Sequence, residues 1–454
     1  TPYDTTRPFQ PIGGLVPNGQ FGMTTANPGV ADPYKQSTNR DGYGQLRGNH
    51  LFTTSITYDL GWASLKYIGG FQQYNYQTGG DYDGTNRTTS YASGPLGTQV
   101  FSDLTTDFDE HKKYYSNEIN LSSNSDGPLN WIVGLYQYKE EYKQRIQLGS
   151  PLQAQLATPA FYYGSINGAA AGVASLAAAG LPSTNPTRNF ADNYAELESK
   201  AWAAFGQATY KFNDQWALTG GLRYTKDEKD GFESQRLVLF NPAGAFGPAA
   251  VDVSSDMDAS RPGVQNFRNL SDSWSAVTGT LNLDWTPNDD TLVYAKYSRG
   301  YKSGGFLLGT LAPKPTADEE TVNAYEVGVK QTIGGRLILN ASAFYNDFEG
   351  LQLNLSQLNA AGTSASNNFV NVDAEAYGLE LEAMWQPIQP LQISASYGYL
   401  HTEITKGCCF YDPADPSALK STARPSGGTA VTNGVLLVFQ DLAGSKIYQS
   451  PENK

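Results

Sequence analysis

The chain has 454 residues, a formal net charge of −13 at pH 7 and a mean hydropathy of −0.43. An acidic chain without a basic stripe does not suit nucleic acid as a partner, because nucleic-acid binding uses Lys and Arg to neutralise phosphates. No run approaches the roughly 20 apolar residues of a membrane-spanning helix, which excludes a helical membrane protein. A fold built from β-strands is not excluded, and the 29 Tyr and 7 Trp are residue types that are favoured in strands.

Six short turns recur along the chain, each between two runs that alternate apolar and polar residues. In chain order they lie near Asp59–Gly61, Ser123–Pro128, Asn213–Gln215, Pro287–Asp290, Ile333–Gly335 and Pro387–Pro390. Long polar segments join the opposite ends of the runs. Six turns predict twelve antiparallel strands, each with one apolar and one polar face. This pattern is typical of a transmembrane β-barrel with short periplasmic turns and long extracellular loops.

The positions of the tryptophans support a membrane location. Five of them lie within a few residues of a short turn: Trp62, Trp131, Trp216, Trp285 and Trp385. Barrel proteins place aromatic side chains in girdles at the two membrane interfaces. We therefore predict that these tryptophans form a girdle on the short-turn side.

The long segments contain three further features. Phe161, Tyr162 and Tyr163 are aromatic residues that could contact a ligand from a loop. The Ala-rich stretch 167–180 begins with Asn and ends with Gly before a proline, which predicts a short loop helix. The adjacent Cys408 and Cys409 indicate a local vicinal disulfide or no role at all.

Catalytic chemistry finds no support in the sequence. The three histidines, His50, His111 and His401, are far apart, and no nucleophile elbow, zinc motif or phosphate-binding loop is present. Residues 81–86 look like half of a calcium loop without its bidentate Glu, so we interpret them as a polar loop tip. We expect no catalytic residue, no metal site and no cofactor.

Four motifs, in order and spacing, resemble those of TonB-dependent outer-membrane receptors. They are Thr219–Thr225 (TGGLRYT), Tyr294–Phe306 (YAKYSRGYKSGGF), Glu319–Lys330 (EETVNAYEVGVK) and Tyr377–Glu382 (YGLELE). The signature residues of the second motif are Tyr297, Ser298, Arg299, Gly300, Tyr301, Lys302, Gly304, Gly305 and Phe306. The resemblance covers about residues 50–454.

The resemblance implies a barrel of about 22 strands, closed by a plug domain, in the outer membrane of a Gram-negative bacterium. About twelve strands would be present, so residues 50–454 are expected to form the middle portion of the barrel. Residues 1–49 would be an extracellular loop or partial strand before the first clear hairpin. The plug is expected to be absent from this chain.

The resemblance also implies energy-coupled import of a scarce small-molecule ligand, such as a ferric siderophore, driven by the TonB complex. Outer-membrane lipid and lipopolysaccharide would be further partners. Three alternatives remain open: a passive porin or channel, a receptor of the same family for a carbohydrate or cobalamin, and a soluble β-sandwich binding module.

The strand alternation assigns side chains to the two faces. We expect a set of polar residues to face the lumen: Arg223, Lys296, Ser298, Glu326, Lys330, Glu380 and Glu382. For Arg223, Lys330, Glu380 and Glu382, interior ion pairs that hold the barrel or the plug are expected more than direct ligand contact. Arg299 has the opposite parity and should lie near the outer interface, where it reaches lipopolysaccharide phosphates or is simply exposed. Gly300, Gly304 and Gly305 are expected to permit positive φ.

Overall fold

The computed structural model describes residues 40–81, 90–93, 98–101, 105–149, 160–163, 172–175, 189–244, 247–252, 266–309, 315–358, 365–407, 429–432, 435–438, 441–448 and 450–453. This part of the chain is all β and contains no helix able to cross a membrane.

Twelve long strands form one antiparallel sheet in which each strand pairs with its neighbours in the chain. They are β1 (Tyr43–Asp59), β2 (Ala63–Asp81), β3 (Thr105–Ser123), β4 (Leu129–Gly149), β5 (Asn189–Lys211), β6 (Trp216–Gly244), β7 (Asn266–Asn288), β8 (Thr291–Lys302), β9 (Glu320–Ile333), β10 (Leu337–Leu358), β11 (Ala365–Ile388) and β12 (Leu391–Lys406). The predicted number of strands and their antiparallel order are confirmed.

Short strands lie in the segments that join the other ends of the long ones. They are Ser90–Ser93, Thr98–Phe101, Ala160–Tyr163, Gly172–Ser175, Gly247–Asp252, Gly305–Phe306, Thr316–Ala317, Thr429–Thr432 and Val435–Val438. Two of these segments are joined to each other, because residues 251–252 pair in parallel with residues 160–161.

All six predicted turns connect consecutive strands of the sheet. The turn between β9 and β10 shows why the local sequence permits this. Gly334 and Gly335 have φ angles of 58° and 64°, and the amide of Arg336 donates to the carbonyl of Ile333 at 3.2 Å. Positive φ at both central residues matches the twist of a two-residue hairpin.

One face of the sheet is apolar and exposed. Leu222 is 69% exposed, Val277 57% and Leu379 50%. A soluble β-sandwich would bury such residues in its core, whereas strands in a lipid bilayer turn them outward. The exposed apolar face therefore contradicts the β-sandwich alternative.

Aromatic side chains border this apolar face at both ends. On the short-turn side Trp62 and Trp131 lie 6.4 Å apart, and Trp216 stacks on Trp285 at 5.7 Å between ring centroids. The row at the other end, called the upper girdle here, consists of Trp202, Tyr224, Tyr297, Tyr325, Tyr345 and Tyr377. The predicted short-turn girdle is confirmed.

The distance between the two girdles fits a membrane. On β11, Leu379, Leu381 and Ala383 lie on the apolar face between Tyr377 and Trp385. Those two girdle residues are about 27 Å apart along the strand, at about 3.4 Å per residue. At a tilt of about 40° this corresponds to about 21 Å along the membrane normal, close to the apolar band of about 25 Å that outer-membrane barrels present. The segments between the girdles are the membrane-spanning segments.

The C-terminal residues return to the free edge of β12. The amide of Leu400 donates to the Glu452 carbonyl at 2.9 Å, and the amide of Ile404 donates to the Ser445 carbonyl at 2.8 Å. Leu442 and Ile447 pack on a small core of Leu353, Val370, Val372 and Ile404. The tail thus covers the edge of the last strand.

One expectation about the elements needs correction. The Ala-rich stretch 167–180 is not a helix where it is described, because Gly172–Ser175 is a strand paired with Ala160–Tyr163. Strand pairing overrides the local helix propensity here. Strand β1 begins at Tyr43, inside the range 1–49 for which a loop or partial strand is expected. Cys408 and Cys409 lie outside the described residues, as do residues 82–86 of the calcium-like stretch.

Candidate ligand-binding site

The predicted lumen-facing residues all lie on the polar face of the sheet. Cross-strand register places Lys296 opposite Glu326, Ser298 opposite Thr280, and Thr278 opposite Arg223. It also places Lys330 and Glu382 on either side of Asn340, and Glu380 opposite Ser342. The seven residues therefore share one face but lie on four different strands.

Their contacts are mostly with aromatic and neutral groups. The Arg223 guanidinium lies 5.4 Å from the ring centroids of both Tyr136 and Phe205, and its Nε donates to Thr225 Oγ1 at 3.0 Å. The Tyr294 hydroxyl donates to Glu326. Lys330 Nζ lies 6.0 Å from the centroid of the same tyrosine ring.

The expected ion pairs among Arg223, Lys330, Glu380 and Glu382 are not formed in the described part of the chain. Asn340 separates Lys330 from Glu382 and donates from Nδ2 to Glu382 Oε2 at 3.4 Å. Arg223 lies on β6, far along the sheet from β11. The order of the strands in the sheet therefore decides which residues can form ion pairs. The alternation of side chains along one strand does not reveal that order.

Beyond the upper girdle, the segment 303–309 crosses the polar face of the wall. A Cβ at Gly304 would overlap the Trp274 indole and the carbonyl of Ala317. Phe306 lies 6.0 Å from Trp274 between ring centroids, and a Cβ at Gly231 would come within 3.1 Å of Phe306. The signature motif thus folds inward, against the inner wall of β6 and β7.

The glycines of the motif serve close packing and not backbone strain. Gly300, Gly304 and Gly305 have no positive φ, which corrects the sequence-based expectation. A Cβ at Gly300 would lie 2.8 Å from a Val322 methyl carbon. The positive φ of this segment falls at Gly309, with φ 85°.

Two polar contacts fix the motif to the wall. Lys229 Nζ donates to the Gly304 carbonyl at 2.6 Å and lies 5.6 Å from the Trp274 ring centroid. The Tyr301 hydroxyl donates to Asp227 Oδ2 at 3.2 Å. Both wall residues lie beyond the upper girdle on β6, outside the membrane-spanning segment. Burial raises the pKa of the Asp227 carboxyl and lowers that of the Lys229 ammonium.

The remaining signature residues lie around this contact. Tyr297 belongs to the upper girdle and donates to Asn323 Oδ1 at 2.9 Å. Ser298 Oγ lies 3.1 Å from Thr280 Oγ1 on the polar face. Lys302 Nζ lies 3.7 Å from Glu320 Oε2. Arg299 has the predicted opposite parity, on the apolar side.

A wall of tyrosines occupies the same face on the neighbouring strands. It consists of Tyr74 on β2, Tyr114 on β3, and Tyr136, Tyr138 and Tyr142 on β4. The Tyr114 and Tyr138 rings lie 6.2 Å apart. We call this set, which begins at the level of the upper girdle with Tyr136 and continues beyond it, the tyrosine wall.

Carboxylates fix the phenols of the tyrosine wall. Tyr74 donates to Glu110 Oε1 at 2.7 Å and Tyr142 donates to Glu110 Oε2 at 3.3 Å. Tyr138 donates to Glu140, whose Oε2 also lies 3.1 Å from Lys112 Nζ. Burial, with the Glu110 carboxylate, raises the pKa of Tyr74 to about 12, so this phenol stays protonated at neutral pH.

This arrangement suits binding and not reaction. Aromatic faces can stack on planar or apolar ligand groups, while phenols and carboxylates can hydrogen-bond polar ones. In the described ranges, no group of three or more His, Cys, Asp or Glu is placed to hold a metal ion. Phe161, Tyr162 and Tyr163 lie on a short loop strand described through its backbone pairing, and their ligand contact stays a prediction.

The sequence did not single out the tyrosine wall, Trp274, Asp227 or Lys229. The upper halves of β2, β3 and β4 carry polar residues on both faces, so alternation gives no signal there. Only the cross-strand register shows which tyrosines share a face. One signal in the sequence was usable: the face of each tyrosine follows from counting alternate residues upward from the apolar half of its strand.

Comparison with known proteins agrees with this architecture. A family model described as TonB dependent receptor-like, beta-barrel, matches residues 2–438. The pesticin receptors of Yersinia enterocolitica and Yersinia pestis are each 25% identical over 204 residues, which is 44% of this chain and 26% of theirs. The match therefore covers about a quarter of the length of these relatives.

Solved structures share the fold. The ferric yersiniabactin uptake receptor from Yersinia pestis superposes with a TM-score of 0.52 at 16% identity, over 81% of this chain and 43% of that one. At this identity the likeness concerns the fold alone. It agrees with an outward apolar face and an inward polar face.

Proposed function

Because this chain belongs to the TonB-dependent receptor family, as part of the β-barrel domain, we propose that it forms part of an energy-coupled outer-membrane importer. The transported ligand is a scarce small molecule of the ferric siderophore type. Energy comes from the TonB complex, which acts through parts of the receptor outside this chain. Outer-membrane lipid and lipopolysaccharide surround the barrel.

The tyrosine wall with its docked motif is the observation that supports this proposal. A passive channel needs an open polar lumen, whereas here segment 303–309 lies across the polar face beyond the membrane. Five tyrosines then line the same side, close to where a ligand arrives from the long loops. Such a wall holds a ligand before transport.

Equilibrium binding to the full-length receptor tests the proposal. Ferric complexes of hydroxamate, catecholate and carboxylate siderophores are titrated while tryptophan emission is recorded. The variants Tyr138→Ala and Tyr142→Ala should each weaken binding of the accepted complex by about tenfold, as expected for buried aromatic contacts. Tyr345→Ala, on the membrane face, is the matched control and should bind as the parent does.

Two results would contradict the proposal. One is that no ferric complex binds while a sugar or cobalamin does, which would favour a receptor for that ligand. The other is that all three tyrosine variants bind equally, which would remove the tyrosine wall from the site.

A further inference from the structure

The membrane face carries a groove of about 800 Å³ between the two girdles, across β4 to β8. Its floor contains Gly206, Gly220 and Gly279, where the absence of side chains leaves the face recessed. Leu222, Val277 and Leu281 form apolar walls around this floor. The lining side chains that point outward are thus apolar at the depth of the bilayer.

One cation lines the end of the groove that lies toward the long loops. Arg299 is on the same outward face, opposite Gly279 and one pleat beyond the girdle residue Tyr297. Its Nη1 donates to Asn323 Oδ1 at 3.2 Å, and within the described ranges it forms no ion pair. By contrast, Lys226 on the same face is paired with Glu228 at 2.6 Å.

A guanidinium has five N–H donors in a fork that matches phosphate, so one amide contact leaves most of them available. At the edge of the apolar band, a cation without an acidic partner is stabilised by an anionic headgroup. The groove below it fits acyl chains. The two features meet on the loop side, which in the outer membrane is the outer leaflet.

We propose that this groove binds one phosphorylated, acylated glycolipid of the outer leaflet, with lipid A chemistry. Its acyl chains lie over Gly206, Gly220 and Gly279, and a phosphate accepts hydrogen bonds from Arg299. The proposal rests on the membrane orientation of the sheet and is independent of the imported ligand, so loss of one leaves the other intact.

Two variants separate the headgroup from the chains. Arg299→Gln removes the charge. Gly220→Val fills the floor, at a position where the nearest atom to an added Cβ is Leu281 Cδ1 at 3.9 Å. The matched controls are Arg336→Gln, in a turn on the other side of the membrane, and Ala395→Val, on the membrane face away from the groove.

The measurement is native mass spectrometry of the full-length receptor, titrated with hexa-acylated lipid A, with its dephosphorylated form and with phosphatidylglycerol. The parent and both controls should bind one lipid A in preference to the other two lipids. Arg299→Gln should weaken that binding by about tenfold, as expected for charge-assisted hydrogen bonds. Gly220→Val should weaken lipid A and its dephosphorylated form alike.

Three outcomes would overturn the proposal. They are equal lipid A binding by Arg299→Gln and its control, no preference for phosphorylated over dephosphorylated lipid A, and a preference for phosphatidylglycerol. If Gly220→Val fails to fold, Arg299→Gln decides the question alone, through the difference between phosphorylated and dephosphorylated lipid A.

Discussion

At position 304 the molecule has room for a hydrogen atom but not for a methyl group. A Cβ there overlaps both the Trp274 indole and the Ala317 carbonyl. Gly304→Ala should therefore push the motif off the inner wall, with a cost of about 1–3 kcal/mol for overpacking. Limited proteolysis of the full-length receptor should show faster cleavage in the segment 303–319.

The neighbouring glycine provides the control for this prediction. A Cβ at Gly305 would meet only Lys229 Nζ, at 3.7 Å, which is ordinary contact. Gly305→Ala should be cleaved at the rate of the parent. Equal rates for both variants would show that the packing on Trp274 does not hold the segment.

Adjacent residues on β11 give a test of the two faces. Leu379 lies on the apolar face of the sheet and Glu380 on the polar face. Leu379→Lys should destabilise the barrel by about 1–3 kcal/mol, between the cost of Lys near the interface and its cost at the bilayer midplane. Glu380→Lys should cost much less, because its side chain points to water. Reversible unfolding in lipid vesicles measures both, and equal costs would contradict the assignment of the faces.

At the scale of single elements, the turn between β9 and β10 isolates a backbone effect. Gly334 and Gly335 have positive φ, yet nothing lies within 4 Å of an added Cβ at either. Gly335→Ala should destabilise the barrel by about 1–2 kcal/mol through the left-handed conformation alone. Urea unfolding in detergent micelles, followed by tryptophan emission, measures this cost.

Gly398 is the matched control for the turn. It also has no neighbour within 4 Å of an added Cβ, but its φ is not positive. Gly398→Ala should be neutral or slightly stabilising, since alanine restricts the unfolded chain. A loss of stability as large as that of Gly335→Ala would mean that the turn geometry is not the cause.

The individual strands, turns and loops also show how much of the structure could be predicted from the sequence. The hairpins were predictable because Pro, Asn, Asp and Gly interrupt a period of two, and both signals are local. The prediction of a loop helix at 167–180 was wrong for the described residues Gly172–Ser175, because they pair with a neighbouring strand. The docking of Gly304 on Trp274 was out of reach, since it joins two elements through a register that no local pattern encodes.

The candidate site was predictable only in part for the same reason. Parity placed Lys296, Glu326 and Glu380 on the polar face, where the structure has them. It did not identify the tyrosine wall, because alternation fades beyond the membrane where both faces meet water. Alternation reports a difference between two solvents, and it stops where that difference ends.

At the scale of the whole molecule, the described part of the chain supplies twelve long strands in one sheet with two contrasting faces. The apolar face is bounded by aromatic girdles, and the polar face leads upward to the tyrosine wall. A channel and an energy-coupled receptor both have an apolar face bounded by girdles. They differ at the tyrosine wall, because a receptor retains its ligand there until energy is supplied.

Uptake of iron tests this difference most directly. Cells that express the full-length receptor as their only such importer are given radiolabelled ferric siderophores of the hydroxamate, catecholate and carboxylate classes, with and without a functional TonB complex. We predict uptake of at least one complex, lost without TonB and reduced in Tyr142→Ala but not in Tyr345→Ala. Uptake that continues without TonB and ignores both tyrosines would contradict the account.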